Sequence, residues 1–260
     1  MTKLLKKAYF YLILLFLYAP ILTLVVFSFN DAKSRGRWGG LSLRWYRELF
    51  QNADIMDALG TTVLVAIVAA LISTVLGTIS AVALHRSSPF FRKSMMNLTY
   101  LPMMNSDIVT GVSLMLLFSF FHFELGFVTL LLSHITFCIP YVILAIMPKL
   151  YGMNRNTFEA ALDLGATQME AYKKVVLPDI LPGIISGFLI SVTLSIDDFV
   201  ISFFNTGNGI KNISILVYSS KTGVKPENYA LSAIMFGAVL ILLLIINFKE
   251  KKKASEESGR

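Results

Sequence analysis

The chain has 260 residues, of which 55% are hydrophobic and 15% are charged, and its mean hydropathy is +0.68. Because a soluble domain carries about 25% charged residues, this composition excludes an ordinary soluble protein and indicates an integral membrane protein. The net charge of +7 would favour nucleic acid in a soluble protein, but the basic residues lie near the ends of apolar blocks, so we expect no nucleic-acid partner. The single cysteine, Cys138, cannot form an internal disulfide, and no residue cluster has metal-ligand spacing.

Six apolar blocks are long enough to cross membrane lipid as helices. The predicted spans cover residues of about 8–29, 58–84, 94–121, 127–147, 183–204 and 229–248. The sequence therefore predicts an all-α integral membrane protein with six transmembrane helices, formed as a single domain over residues 1–260.

The first block follows three lysines and resembles a secretory signal peptide. At 22 residues it is longer than a typical signal core, and no A-x-A cleavage site follows it, which favours an uncleaved span kinked at Pro20. The polar loop 30–57 comes next. Its residues 43–50 are predicted to form a short surface helix, with Trp45 and Tyr46 as anchors in the membrane interface. This loop is basic, so it either contacts a partner protein or forms a solvated charged face.

Two of the spans carry irregular features. In the third span, Pro102 and the polar run Asn105-Ser106-Asp107 predict an irregular piece up to Ser106, followed by a helix from Ile108. In the fifth span, Gly183 and Gly187 form a G-x-x-x-G pair, which predicts close packing against another helix.

The distribution of lysine and arginine predicts the orientation of the spans. With the N-terminus inside, the inner segments carry 15 of these residues and the outer segments carry 8. This bias places both termini in the cytoplasm.

A polar segment, residues 150–182, separates the fourth and fifth spans. Asn156 is predicted to cap a short helix, with Glu159 reaching back to it, and Gly165 suits a left-handed helix end. The run from Thr167 to Glu170 has the capping-box pattern and predicts a second helix, which Pro178 and Pro182 either end or redirect. The segment is therefore predicted to form two short helices hinged at Gly165.

Three acids fall at membrane depth, namely Asp107, Asp197 and Asp198. A carboxylate there is costly and should face a cavity or a cation, which predicts a site for a positively charged solute. Asp107 could instead cap the following helix. Asp197 and Asp198 would point about 100° apart on one helix, so we expect one to face the pathway and the other to bond to a neighbouring span. No glycine is followed by lysine, so the chain has no G-x-x-x-x-G-K-[ST] phosphate-binding loop.

The polar segment resembles the EAA loop of bacterial ABC importer permeases. The residues that carry this resemblance have fixed spacings; they are Glu159, Ala160, Ala161, Gly165, Val175, Leu177 and Pro178. Further likeness to the polyamine (spermidine and putrescine) permeases of that family lies in residues 106–114, 133–142 and 194–207.

The resemblance implies a fold like that of type I ABC importer permeases in the bacterial cytoplasmic membrane, with residues 150–182 as a cytoplasmic coupling loop. Glu159 would be the main carboxylate docking on the ATPase, with Gly165 as a hinge. The three acids would line the pathway. Implied partners are a second related permease, an ABC ATPase dimer that holds ATP and Mg²⁺, and an extracytoplasmic polyamine-binding protein; this chain itself would hold no cofactor and catalyse no reaction.

Three alternatives stay open from the sequence. The same kind of permease could carry another solute, such as an iron chelate or an anion, although acids within the spans argue against an anion. An intramembrane enzyme could use the aspartates as an acid/base pair, but neighbouring residues on one helix point apart. A proton-driven carrier would normally be longer and would show an internal repeat.

Overall fold

The computed structural model describes residues 3–33, 37–219, 226–237 and 240–241. The elements of this part are helical, and their bounds are α1 (Lys3–Ser28), α2 (Arg44–Gln51), α3 (Ala53–Arg86), α4 (Pro89–Met104), α5 (Asp107–Phe120), α6 (Phe127–Gly152), α7 (Arg155–Asp163), α8 (Gln168–Ala171), a π-turn (Tyr172–Val176), α9 (Leu177–Asp197), α10 (Val200–Asn205) and α11 (Ile213–Tyr218). Residues 226–237 and 240–241 are also helical. The chain divides into two compact units, one of residues 1–56 and 217–260 and the other of residues 57–216.

Four helices in the described part are long and apolar enough to cross a membrane: Lys7–Ser28, Ala53–Arg86, Phe127–Gly152 and Gln168–Asp197. The pair α4 and α5, bent by 106°, makes a fifth span if it is counted as one. These helices correspond to the first five predicted spans. Of the sixth predicted span, 229–248, residues 229–237 and 240–241 are helical, and the others lie outside the described residues.

In the unit of residues 1–56 and 217–260, hydrogen bonds to Asn30 order the loop that follows α1. The Asn30 side chain donates to the Arg37 carbonyl at 2.8 Å and accepts from the Gly39 amide at 2.7 Å, while its own carbonyl accepts from Trp45 Nε1 at 2.6 Å. The predicted helix is confirmed as α2, and its place at the membrane surface stays a prediction, but the prediction of Trp45 as an interfacial anchor is wrong. Its indole is 2% exposed, because its N–H bonds to the loop rather than to the lipid interface.

The unit of residues 57–216 is built around α6, which packs chiefly against α9. The predicted close approach at the G-x-x-x-G pair is confirmed. A Cβ on Gly183 would lie 3.0 Å from the Ala145 carbonyl oxygen, and one on Gly187 would lie 3.2 Å from the Cα of Val142. Gly77 of α3 approaches the same valine, and an added Cβ there would lie 2.6 Å from Val142 Cγ1. Glycines therefore allow both α9 and α3 to pack closely against α6.

The third predicted span is broken as expected, but its first half is not irregular. It forms α4, which starts with Pro89 after the N-cap Ser88 and ends at Met104, with Pro102 inside its last turn. Proline costs least where the preceding turn can open, and here the helix stops two residues after Pro102. Asn105 is then extended, with a ψ of 156°, and the chain turns by 106° into α5.

Candidate functional site

The first half of the polar segment forms α7, which is capped by Asn154 and not by Asn156. The Asn154 side chain accepts from the Asn156 amide at 3.0 Å. The prediction missed this because either asparagine could start the helix, and Asn154 starts it two residues earlier than Asn156 would. Glu159 and Ala160 are exposed on α7, while Ala161 is half-buried.

Gly165 ends α7 in the left-handed conformation predicted for it, with a φ of +88°. The Gly165 amide donates to the Leu162 carbonyl at 2.9 Å, and the Ala166 amide donates to the Ala161 carbonyl at 3.1 Å. This pair of bonds is the Schellman motif, which satisfies carbonyls that the helix end leaves unpaired. The EAA-like residues thus include both a carbonyl and a glycine that close the same turn.

The predicted capping box is confirmed at the start of α8. Thr167 N donates to Glu170 Oε2 at 2.9 Å, and Glu170 N donates back to Thr167 Oγ1 at 3.3 Å. The tip of the hairpin exposes two large apolar side chains, one on each side of the glycine. Leu164 is 88% exposed and Met169 is 64% exposed. Sequence reasoning missed these two residues, although exposed apolar side chains in a polar turn indicate a surface that binds another protein.

Of the two outcomes predicted for Pro178 and Pro182, an end of the second helix is wrong. The chain stays helical from Gln168 to Asp197, passing through the π-turn, where the Leu177 amide donates to the Tyr172 carbonyl. A π-turn widens the backbone just before Pro178, which has no N–H to contribute and whose ring needs extra room. Leu177 and Pro178 are both exposed at this point.

A cavity of about 560 Å³ lies between the hairpin and the turn that joins α3 to α4. Its lining combines basic, aromatic and acidic side chains, including Arg86, Arg92, Phe158, Glu159 and Tyr172. The Arg86 guanidinium lies over two rings, 5.7 Å from the Phe158 centroid and 5.1 Å from the Tyr172 centroid. The hairpin is therefore held against the α3–α4 turn by stacked side chains.

The fifth predicted span is not continuous, because α9 stops at Asp197 and a new helix, α10, begins at Val200. Asp198 stands in the break with an extended backbone, and its carboxylate accepts from the Ile201 amide at 3.1 Å and from the Ser202 amide and hydroxyl at 2.8 Å each. Its side chain is 5% exposed. Asp198 thus caps α10, a role that the prediction of one continuous span over residues 183–204 did not include.

A buried histidine joins the two sides of this break. His134 of α6 has one ring nitrogen 2.6 Å from Ser195 Oγ of α9 and the other 3.0 Å from Ser202 Oγ of α10. Its Nε2 also lies 3.5 Å from Asp198 Oδ2. A polar network fully satisfied in a low-dielectric interior rigidifies the backbone around it, so the break is a fixed feature of the fold.

The other two acids are exposed. Asp197 is the last residue of α9, and Asp107 is the first residue of α5, where Ser106 and not Asp107 occupies the cap position. Within the described part of the chain, neither carboxylate forms a hydrogen bond or an ion pair.

Helices α5 and α10 pack closely beside these acids. An added Cβ on Gly111 would lie 3.4 Å from the Ile201 Cα, and Asn205 Nδ2 donates to the Gly111 carbonyl at 3.1 Å. Asp107 and Asp198 start these two helices, each within about one turn of the contact. The structure therefore brings the two breaks into neighbouring positions. No group of three or more potential metal-ligating side chains occurs among the described residues.

The fold and this site define a helical membrane protein with a helix–glycine–helix hairpin and two spans broken at acidic residues. The chain belongs to the family described as the binding-protein-dependent transport system inner membrane component, which matches residues 73–248. It is therefore a permease subunit of an ABC transporter and not an enzyme.

Relatives of known function cover most of the chain. The spermidine/putrescine transport system permease protein PotC of Haemophilus influenzae is 39% identical over 243 residues, 93% of this chain and 94% of that protein. The putrescine transport system permease protein PotI of Escherichia coli K12 is 41% identical over 235 residues, 87% of this chain and 84% of that protein. PotC of the same strain is 34% identical over 258 residues, 99% of this chain and 98% of that protein.

Solved structures share the fold at low sequence identity. A chain of a bacterial ABC transporter that imports the acidic polysaccharide alginate has a TM-score of 0.72 at 17% identity, covering 96% of this chain and 93% of that one. A chain of the MetNI methionine ABC transporter in an inward-facing conformation has a TM-score of 0.60 at 16% identity, covering 82% of this chain and 97% of that one. These likenesses support the type I ABC permease fold expected from the sequence.

Proposed function

We propose that this chain is a membrane subunit of an ATP-driven importer for polyamines such as spermidine and putrescine. The observation that carries this proposal is the similarity to PotC and PotI, at 34–41% identity over 87–99% of the chain. Exposed carboxylates at two helix breaks support it, since an alkyl-ammonium cation needs acidic partners inside a membrane.

The hairpin around Gly165 is proposed as the cytoplasmic coupling loop, within residues 150–182 of a single permease domain spanning 1–260. Glu159 would face a basic group on the partner ATPase, and the exposed side chains of Leu164 and Met169 would enter an apolar groove there. Ala160, Ala161, Leu177 and Pro178 would shape this contact: the two alanines keep the α7 surface flat, and Pro178 sets the path of the helix after the π-turn. ATP and Mg²⁺ would bind on the ATPase, because this sequence has no phosphate-binding loop.

The pathway is proposed to run past Asp107 and Asp197. Their exposed carboxylates leave hydrogen-bond acceptors available to an ammonium group. The Asp198 carboxylate already accepts hydrogen bonds from α10. Its contribution to the pathway would therefore be to stabilise the helix break next to Asp197. Contact through two exposed acids gives a weak site, which suits a pathway that must release its cargo.

The complete transporter is proposed to contain a second related permease, an ATPase dimer and an extracytoplasmic polyamine-binding protein. The lysine and arginine bias supports an orientation in the inner membrane with both termini and the hairpin in the cytoplasm. The ordered loop after α1 would then lie on the outer side, where the binding protein delivers the cation.

The test is uptake of labelled spermidine by cells that express the chain together with its partner subunits. Asp197→Asn should lower uptake, while Glu124→Gln, which removes an exposed carboxylate from the turn between α5 and α6, serves as the matched control and should not. Excess unlabelled putrescine should compete with the label, and an iron chelate should not. A native complex that takes up no labelled spermidine in the presence of ATP would reject the polyamine assignment.

The coupling role is tested separately in the same complex reconstituted in vesicles. Glu159→Gln should lower the number of solute molecules moved for each ATP hydrolysed. Asp163→Asn, which removes a carboxylate one turn further along α7, is the control for loss of charge. An unchanged ratio in Glu159→Gln would refute the docking assignment without touching the choice of cargo.

A further inference from the structure

The turn between α3 and α4 is attached to the hairpin by a stack of three side chains. Arg86 is the last residue of α3, and its guanidinium lies over Phe158 of α7 and over Tyr172 of the π-turn. The two rings are themselves in contact, with centroids 5.2 Å apart. One cation therefore holds both halves of the hairpin. A planar guanidinium is suited to this position because it can lie flat on aromatic faces.

A second stack attaches the same turn to the end of α6. The Arg92 guanidinium, in the first turns of α4, lies 5.8 Å from the Tyr151 ring centroid, and Arg92 Nη1 donates to the His85 carbonyl at 3.4 Å. The His85 ring lies 5.7 Å from the same tyrosine. The turn is thus fixed to α6 on one side and to the hairpin on the other.

The Arg86 stack lies beside a cavity that Glu159 also lines. The cavity of about 560 Å³ lies between α7 and the α3–α4 turn, so these elements are not packed tightly against each other. Arg86 forms no ion pair with Glu159 or with any other described carboxylate, although Glu159 lines the same cavity. The stack forms part of the wall of this cavity, and it leaves the Glu159 carboxylate available for a partner.

The turn leads directly to the first helix break. Only two residues separate Arg86 from Pro89, where α4 begins. Helix α4 then runs for 16 residues, about 24 Å, and ends at the 106° bend before Asp107. A helix of this length moves as one piece, so a displacement at its first turn reaches the bend.

We propose that Arg86 is the positioning residue that transmits movement of the hairpin to the broken span α4–α5, and hence to Asp107. This proposal rests on the proposed function, because it takes the hairpin as the part that the ATPase moves. Arg86 contacts neither cargo nor nucleotide; it acts by keeping α7, the π-turn and the start of α4 in register.

Movement of the bend is the direct readout, and it does not depend on which solute is carried. Met104, the last residue of α4, is 81% exposed. In a chain with Cys138→Ser, Met104→Cys gives a single thiol whose labelling rate by a maleimide is measured in the assembled complex, with and without ATP. We expect ATP to change this rate when Arg86 is present and to change it much less with Arg86→Gln.

Variants of the rings separate stacking from charge. Tyr172→Phe keeps the ring and should retain the ATP-dependent change, whereas Tyr172→Leu should reduce it about two- to fivefold, the factor that one partly exposed cation–π contact supplies. Lys93→Gln removes a charge from the same basic region without disturbing the stack and should behave like the native chain. A requirement for charge alone would instead make Lys93→Gln and Arg86→Gln alike and would overturn the proposal.

Uptake and ATP hydrolysis in the same variants distinguish transmission from simple loss of structure. Arg86→Gln should lower labelled spermidine uptake for each ATP hydrolysed, with the amount of inserted complex unchanged. Uptake, hydrolysis and insertion that fall together would show that Arg86 is only a structural support. Normal coupling in Arg86→Gln, with loss of coupling in Glu159→Gln, would reject the role of Arg86 and leave the proposed function standing. Normal coupling in both would reject the proposed docking of the hairpin on the ATPase, on which the role of Arg86 depends.

Discussion

The three hydrogen bonds of Asp198 allow the cost of Asp198→Asn to be estimated. The carboxylate accepts from two backbone amides and one hydroxyl at 2.8–3.1 Å in a nearly dry environment. An asparagine side chain offers a single oxygen, and its NH₂ group would face a backbone N–H that also donates. At least one charge-assisted bond is then lost, which costs about 1.5–3 kcal/mol.

The matched comparison is Asp197→Asn on the neighbouring residue. Asp197 is exposed and forms no bond within the described part of the chain, so its replacement should change the free energy of unfolding by no more than about 0.5 kcal/mol. Denaturant unfolding of the purified complex in detergent measures both variants. Asp198→Asn should be clearly less stable, whereas Asp197→Asn should be as stable as the native chain but slower in spermidine uptake. A neutral Asp198→Asn beside a destabilised Asp197→Asn would refute this division of roles.

Three further substitutions have defined expectations. Gly77→Ala places a methyl group 2.6 Å from Val142 Cγ1 and should destabilise the purified chain by about 1–3 kcal/mol, with partial rescue by Val142→Ala; Gly60→Ala, whose Cβ meets nothing within 4 Å, is the control in the same helix. Gly165→Ala must adopt a φ of +88° and should cost about 1 kcal/mol, seen as faster proteolysis of the hairpin, whereas Gly165→Asn should be tolerated better. His134→Leu leaves the hydroxyls of two buried serines without a partner and should lower the free energy of unfolding by about 1–3 kcal/mol. His134→Gln can still form a hydrogen bond and should lose less. Equal stability of the two variants would contradict this expectation.

The spans and the hairpin could be predicted because their signals are local. Apolar length identifies a membrane helix, and Gly165 and the Thr167–Glu170 box determine backbone geometry within a few residues. The cap of α7 was misplaced because Asn154 and Asn156 have the same chemistry, and only the hydrogen bonds distinguish them. The continuation of the helix through Pro178 could not be predicted, because a π-turn has no recognisable sequence pattern.

The buried side chains at the fifth span could not be predicted, for a different reason. The role of His134 depends on Ser195 and Ser202, which are 61 and 68 residues away, and no local pattern reports a contact across that separation. The hydrogen bonds of Asp198 are local, but they form only because the span is broken there. The Arg86 stack is equally non-local, since its rings belong to the hairpin. Trp45 shows the opposite error, in which a residue type common at membrane interfaces is committed instead to a hydrogen bond inside a loop.

The unbroken helix from Gln168 to Asp197 determines how far the hairpin stands from the lipid. Gly183, the first residue of the predicted span, comes fifteen positions after Gln168, which is about 22 Å along a helix. With a span that begins at Gly183, the headgroup layer would account for about 5–8 Å of that length, and the hairpin tip would lie roughly 15 Å out in water. At that distance the bilayer would not cover the exposed side chains of Leu164 and Met169. If the ATPase covers them as proposed, we expect a permease made without its ATPase to aggregate or to be degraded.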